Sequence, residues 1–294
     1  MTNQDFTTTN VSHNSQKILI VDGSNLLFQM FFGMPARIVS SGGKPIQGTL
    51  GFVGALLKII RMVGPSHVLV TFDGECENPR SAIDEEYKAN RPDYSETPEE
   101  DTPFSQLPDI YAALDTLGIC HRETESCEAD DWIAGYAKQY GEALDVVIAS
   151  QDSDFYQLIT HRVSILRYRG KNTVVCDPAY IREKLGIEPY QYAAFKSLTG
   201  DTADNIRGAD KIGPKTAAEL MNQFENLQTL LANADAIRKP SIRKSVLCNA
   251  ERIRKNYELI RLDGAQELPF ALETLRWQDS GMTTTQVLKT IGVQ

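Results

Sequence analysis

Cysteine is sparse in this sequence and poorly placed for metal or disulfide chemistry. The five residues Cys76, Cys120, Cys127, Cys176 and Cys248 are odd in number, scattered and without a CxxC pair. That excludes a disulfide framework and an ordinary zinc site, and fits reduced thiols in a cytoplasmic protein. Long hydrophobic runs are missing as well. No segment reaches the ~18 uninterrupted apolar residues of a membrane span, and the polar, Thr/Asn-rich residues 1–16 have no basic start followed by an apolar run, so the chain reads as soluble, with a loose tail over 1–16. An excess of positive charge is also lacking. With 30 Lys and Arg against 39 Asp and Glu, the net charge is -9, which argues mildly against a nucleic-acid partner unless the charges are segregated.

What is present, in 294 residues, is enough chain for a substantial core in one or two domains. Several short, branched apolar runs end in acid. "KILIV" (17–21) runs into Asp22, "HVLVTF" (67–72) into Asp73, and "DVVIAS" (145–150) into Asp152 and Asp154. Such runs read as buried strands of a parallel sheet. Between the first two lies a helical pattern over 48–64, with apolar residues at 52, 53, 56, 59, 60 and 63. The order strand, helix, strand predicts an α/β architecture with a mostly parallel sheet flanked by helices. In such sheets ligands bind beyond the carboxyl ends of the strands, where Asp22, Asp73, Asp152 and Asp154 would project.

Any one of these acids could be a helix cap or a turn residue. The stretch "EADDW" (128–132) is harder to explain that way, because Glu128, Asp130 and Asp131 crowd the start of a helical pattern over 130–141. The helix dipole favours one or two acids in a first turn, hardly three. In "TGDTADN", Asp201 and Asp204 are three apart and would share a face if that segment is helical. Nine carboxylates are thus gathered. Without them the 39 acids fall to 30 and balance the 30 Lys and Arg, so the net charge of the chain equals that of one proposed site. An all-oxygen set suits Mg²⁺ or Mn²⁺. Nine exceed the need of one Mg²⁺ and imply two or more ions, the usual arrangement for in-line attack on a phosphodiester.

Two segments could hold such a substrate. "PRSAIDEEYKANRPDY" (79–94) carries Arg80, Tyr87, Lys88 and Arg91 in a long polar connection. Its bland reading is a solvated loop, favoured for Arg80 taken alone. Lys88 and Arg91 would share a helical face, however, and Tyr87 beside them could stack on a base. "GADKIGPKTAAEL" (208–220) looks like a helix-hairpin-helix. There Gly208 and Gly213 permit a tight turn, and Lys211 and Lys215 flank backbone N–H groups at a helix start that can grip a duplex backbone without reading sequence. The following "RKPSIRKSVLCNAERIRK" (238–255) has seven basic residues against Glu251 and reads as an extension of that surface.

The motifs "VDGSNLLF", "FD", "EEYKANR", "EADD", "SQDSDFYQL" and "LTGDTADNIRGADKIGPKTA", in this order, closely resemble the bacterial and phage 5′-nuclease (flap endonuclease) family. That family includes the N-terminal 5′-3′ exonuclease domain of DNA polymerase I. The likeness covers about residues 17–260, with nothing resembling a polymerase domain. It implies a PIN-like nuclease domain over 17–200 with a helical arch at about 75–104, and a helix-hairpin-helix and C-terminal helical region over 201–294. It also implies that Asp22, Asp73, Glu128, Asp130 and Asp131 serve one metal site and Asp152, Asp154, Asp201 and Asp204 the other. Lys88 and Arg91 take the place of the arch's catalytic cations, with Arg80, Tyr87, Lys211, Gly213 and Lys215 on DNA. The implied cofactors are Mg²⁺, with Mn²⁺ as substitute, and K⁺ at the helix-hairpin-helix. The implied partners are DNA flaps, nicks and 5′ ends, with RNA-primer hybrids as a further class, acted on by a monomer. One departure is the acidic stretch 96–101, which leaves the arch less basic than the family pattern.

Other readings share parts of this pattern. A non-catalytic DNA-junction binder has no need of the full acidic set, and a PIN-type ribonuclease has no need of a helix-hairpin-helix. A haloacid-dehalogenase-type phosphatase needs a DxD directly after its first strand, where this chain has Gly23 and Ser24 after Asp22.

Overall fold

The first strand, β1 (Lys17–Asp22), carries four consecutive apolar residues, Ile18 to Val21, all fully buried. Burial of successive residues means that both faces of the sheet are covered, as a parallel sheet requires. β1 lies between β2 (His67–Phe72) and β4 (Asp145–Ala149), parallel to each. β3 (Cys120–Glu123) flanks β2 and β5 (Val163–Arg167) flanks β4, again parallel, while β6 (Val174–Cys176) closes the edge antiparallel. The order is β3-β2-β1-β4-β5-β6. The chain reverses its direction of travel across the sheet on either side of β1, so the crevice beyond the end of β1 is a topological switch point. The structure is a computed structural model describing residues 16–34, 36–74 and 79–293. The tail expected over 1–16 therefore lies outside the described residues except for Gln16, as do Cys76 and the start of the arch.

Alternate residues of β1 face two different cores. Leu19 and Val21 pack with α1 (Gly23–Gly33), α2 (Gln47–Val63) and α3 (Leu107–Thr116), through Leu27, Phe52, Leu56, Ile59 and Ile110. Ile18 and Ile20 face α4 (Ala129–Tyr140) and the C-terminal helices, through Ile133, Tyr136, Phe195 and Leu198. The apolar spacing of α2 is realised with Phe52, Val53, Leu56, Ile59 and Ile60 buried, and the helix stops at Gly64, whose left-handed φ of 58° lets its N–H reach the Ile60 carbonyl.

The connection after β2 departs from expectation. Residues 79–106 hold three 3₁₀ turns (Pro79–Ala82, Glu99–Asp101, Pro103–Gln106) joined by tight turns and no α-helix. Lys88 and Arg91 therefore do not share an α-helical face. Pro92 disfavours the α conformation at Arg91, and Lys88 adopts a left-handed φ of 58°. Its N–H donates to the Asp204 carbonyl at 3.0 Å. The arch base is also held by Asn90 Nδ2 on the Thr202 carbonyl (2.9 Å) and Lys255 on Asp84 (2.7 Å).

Beyond the sheet follow α5 (Pro178–Leu185), α6 (Tyr192–Thr199), α7 (Pro214–Phe224), α8 (Leu227–Ala232), α9 (Pro240–Cys248), α10 (Ala250–Ile260) and α11 (Thr284–Thr290). Between α6 and α7, Asp201 and Asp204 lie on a two-stranded hairpin, β7 (Gly200–Asp201) with β8 (Ile206–Arg207), and not on a helix. Backbone crosses at its base: a Cβ on Gly208 would sit 2.4 Å from the Thr199 carbonyl carbon. Gly213 is not the left-handed residue of the turn before α7. Its φ is -90°, while Lys211 has φ 64°.

Candidate metal centre and nucleic-acid interface

Asp22 ends β1 and also caps α1, so both readings of it hold. Its Oδ1 accepts from the Asn25 N–H (3.0 Å) and its Oδ2 from the Ser150 hydroxyl (2.8 Å). Burial, then the neighbouring Asp73 charge, push its carboxyl up to about 7. Asp73, just past β2, accepts from the Ala129 N–H at the start of α4 (2.9 Å), tying that helix end to the strand edge. On the first turn of α4, Asp130 is raised well above the usual carboxylate range by burial and by Asp152, Asp73 and Asp22. Asp152 and Asp154 follow β4; burial raises both, and Asp201 and Asp204 add to it. Asp22, Asp130, Asp152 and Asp154, from three segments, thus hold protons more tightly than ordinary carboxyls, which is what unneutralised carboxylates in one low-dielectric pocket do.

The remaining members are tied to cations of the chain. Both Asp131 oxygens accept from Arg80, at 3.0 and 2.7 Å, and Arg80 also bonds Glu128. The other Glu128 oxygen receives Lys88 Nζ. Burial works against the charge of Glu128, yet Lys88 and Arg80 outweigh it and hold its carboxyl below the ordinary range. Asp204 accepts from Arg91 at 3.1 Å and Asp201 pairs with Lys196 at 2.5 Å. A cavity of about 390 Å³ is lined by Asp22, Asp73, Asp130 and Asp152 together with Lys88, Arg91, Phe28 and Phe104.

These residues fit divalent cations. Among the described residues no three Asp, Glu, His or Cys side chains converge on one point, and Lys and Arg are bonded to oxygens of Glu128, Asp204 and Asp201. Asp154 Oδ1, however, is buried and has no hydrogen-bond partner among the described residues. A buried carboxylate oxygen left unsatisfied beside other raised carboxylates is costly unless a cation meets it. The donors are all oxygen, which suits hard ions.

Two residues expected on DNA are turned inward. Tyr87 is only 7% exposed and its ring packs with Ala193, Ile206, Leu259 and Ile260. Arg80 is 8% exposed and turned inward onto Glu128 and Asp131, neither a solvated loop residue nor a free phosphate contact. Lys211, Gly213 and Lys215 are exposed at the turn into α7, and a Cβ on Gly213 would meet open space.

Sequence reasoning missed Lys196 and the aromatic rim. Phe28, Tyr94 and Phe104 meet edge-to-face with centroids 5.6 to 6.2 Å apart, joining α1 to the arch segment at the cavity mouth. The signal for the rim was the run "LLFQMFF", apolar beyond what a half-buried helix needs; Phe32 is 59% exposed.

A mostly parallel sheet with an acidic edge, followed by a helical C-terminal region, is the architecture of a resolvase-like domain joined to a SAM-like one. The family model of the 5′-3′ exonuclease N-terminal resolvase-like domain matches residues 17–186, and that of the 5′-3′ exonuclease C-terminal SAM fold matches 187–283. The chain belongs to the 5′-3′ exonuclease family. It is 36% identical over 247 residues to a thermostable DNA polymerase I of Thermus thermophilus, covering 84% of this chain and 28% of that protein. To DNA polymerase I of Rhizobium leguminosarum it is 34% identical over 267 residues, covering 88% and 26%. The chain thus spans less than a third of these relatives' length. In fold it is similar to the T5 5′-exonuclease with bound zinc ions (TM-score 0.69, 23% identity, 84% of this chain and 90% of that one). It is also similar to the T5 flap endonuclease in a pseudo-enzyme-product complex with DNA and metal ions (0.71, 22%, 94% and 100%) and to the catalytic core of Rad2 with DNA substrate (0.60, 16%, 94% and 93%).

Proposed function

We propose that this chain is a metal-dependent, structure-specific 5′ nuclease that hydrolyses phosphodiesters near the 5′ ends, flaps and nicks of DNA without regard to sequence. The observation that carries the reading is the set of buried and half-buried, mutually repelling carboxylates beyond the end of β1, several of which line one cavity together with Lys88 and Arg91. Asp22, Asp73 and Asp130, with Glu128 and Asp131 behind them, would hold one Mg²⁺ or Mn²⁺. Asp152, Asp154, Asp201 and Asp204 would hold a second. A pair of such ions supplies activation of water and neutralisation of charge on the phosphodiester. Lys88 and Arg91 reach the same cavity and offset charge on the scissile phosphate.

The duplex part of the substrate rests on the turn 208–217, through backbone N–H groups at the start of α7 and through Lys211 and Lys215. K⁺ at this turn, RNA-primer hybrids as substrates, a monomeric state and a cytoplasmic location belong to the same reading. So does a division into a nuclease domain over 17–200 and a helical region over 201–294. DNA complexes of the T5 and Rad2 neighbours support the substrate class. The test is cleavage of a 5′-labelled flap, with single-stranded RNA and a phosphomonoester alongside, each with and without Mg²⁺. Flap cleavage only with Mg²⁺ is expected; hydrolysis of the RNA or the monoester in preference to the flap overturns the reading.

A further inference from the structure

Glu128 is shared between two cations from the same polar segment. Arg80 bonds one of its oxygens and Lys88 the other, and the Tyr87 hydroxyl lies 3.4 Å from the first. Arg80 itself is fixed, because its guanidinium forks onto both oxygens of Asp131 at 3.0 and 2.7 Å. Lys88 is differently placed. Its backbone is pinned to the Asp204 carbonyl, but its side chain also lines the acidic cavity. To touch a phosphate there, Lys88 has to release Glu128. All three side chains are nearly buried, at 10 to 12% exposure, and a buried carboxylate that loses a neutralising cation is destabilised. With Arg80 in place Glu128 stays neutralised when Lys88 departs. Without Arg80, Lys88 would carry a larger share of the neutralisation of Glu128 and would be held there more firmly.

We propose that Arg80 is a positioning residue for cleavage: by sharing Glu128 with Lys88, it loosens the hold of Glu128 and lets Lys88 reach the scissile phosphate. The proposal rests on the nuclease reading with Lys88 at the phosphate. It sets Arg80 apart from a plain structural pillar, which would support the fold whether or not Lys88 is present.

A double-mutant cycle separates the two. Single-turnover cleavage of a 5′-labelled flap at saturating enzyme is measured for wild type, Arg80→Gln, Lys88→Ala and the double variant. Flap affinity in EDTA and the Mg²⁺ concentration for half-maximal rate are measured alongside. Arg80→Gln is expected to slow the saturated step by about tenfold or more while flap affinity stays within about threefold and the Mg²⁺ requirement does not rise. In the Lys88→Ala background the same change is expected to cost less than about twofold. Additive losses overturn the proposal, as does a loss explained wholly by a raised Mg²⁺ requirement. If circular dichroism shows Arg80→Gln unfolded, Arg80→Lys carries the test. It keeps a charge beside Glu128 but loses the fork onto Asp131; any loss of its saturated rate in folded protein is expected to shrink below about twofold in the Lys88→Ala background, and a tenfold loss that is the same in both backgrounds overturns the proposal. Wild type that leaves the flap uncut in Mg²⁺ refutes the nuclease reading itself; wild type that cuts, with an additive cycle, refutes only the role of Arg80.

Discussion

Asp22 and Ser150, 128 positions apart in the chain, meet through a 2.8 Å hydrogen bond at the carboxyl ends of β1 and β4. The bond joins the first acidic strand end to the segment bearing Asp152 and Asp154, whose backbone is organised by the same hydroxyl: the Asp152 N–H donates to Ser150 Oγ at 3.0 Å. Ser150 therefore orients both halves of the acidic cluster without carrying charge.

That cluster predicts an unusual pH dependence. Asp22 is raised from 3.8 to about 7, by burial first and by Asp73 second, and Asp130, Asp152 and Asp154 are raised too. For a carboxyl whose folded value exceeds its unfolded one, the native state binds more protons between the two. Its contribution to stability is complete below about 3.8 and is lost as pH rises through about 7. Glu128 and Asp84, which are lowered, act in the opposite sense and matter only as pH falls below the usual carboxylate range. Melting followed by calorimetry in EDTA should give a melting temperature at pH 5.5 above that at pH 8 by about 3 °C or more, and saturating Mg²⁺ should abolish the difference. Equal values in EDTA would show that these carboxylates are not strained against one another.

Lys88→Ala should lower the single-turnover rate by ~10² to 10³ through loss of one contact to developing charge. Flap affinity should change little, because other phosphate contacts remain. An unchanged saturated rate with a large loss of affinity would make Lys88 a binding residue and shift the catalytic role to Arg91, which the structure places on Asp204 at the same cavity.

The parts of this site that were legible in the sequence are those set by local pattern. A branched apolar run that ends in Asp reads as a buried strand with its acid at the carboxyl edge, so Asp22, Asp73, Asp152 and Asp154 could be placed from the sequence alone. The orientation of 79–94 could not. Whether Arg80 and Tyr87 turn outward or inward is decided by Glu128 and Asp131 on α4 and by Ile206 and Leu259 on later elements, none of them local. The spacing of Asp201 and Asp204 suggested a helix; Gly200, at φ 81° where the chain crosses Gly208, starts a hairpin instead. Both acids still lie near enough to the cluster to raise Asp152 and Asp154, and the hairpin backbone is tied to Asn90 and Lys88.

Because Asp201 and Asp204 sit on this hairpin and not on α4, changing both to Asn should remove one divalent ion and leave the other. Hydrolysis should slow greatly, as expected when one of two ions is lost. Calorimetric titration decides it: loss of all metal binding, or an unaffected rate, rules out the division of the carboxylates into two groups.

The turn into α7 offers a test of DNA binding that leaves the protein itself unstrained. Gly213 has an extended φ of -90°, and a Cβ there meets nothing within 4 Å, so Gly213→Val should fold normally and melt within about 1 °C of wild type. Its effect should fall on the ligand. A branched side chain at the first residue before the helix blocks close approach of a phosphate to the N–H groups of α7, and binding of duplex-containing flaps should weaken similarly for all sequences. Hydrolysis at saturating substrate should change far less, since the carboxylates lie on other segments. Lys215→Ala removes one cation from the same surface, and the slope of log affinity against log salt should fall by about 0.9, the share of a single neutralised phosphate. A folded Gly213→Val protein that binds flap DNA as tightly as wild type, together with an unchanged salt slope for Lys215→Ala, would place the duplex elsewhere, with the basic faces of α9 and α10 as the next surface to test.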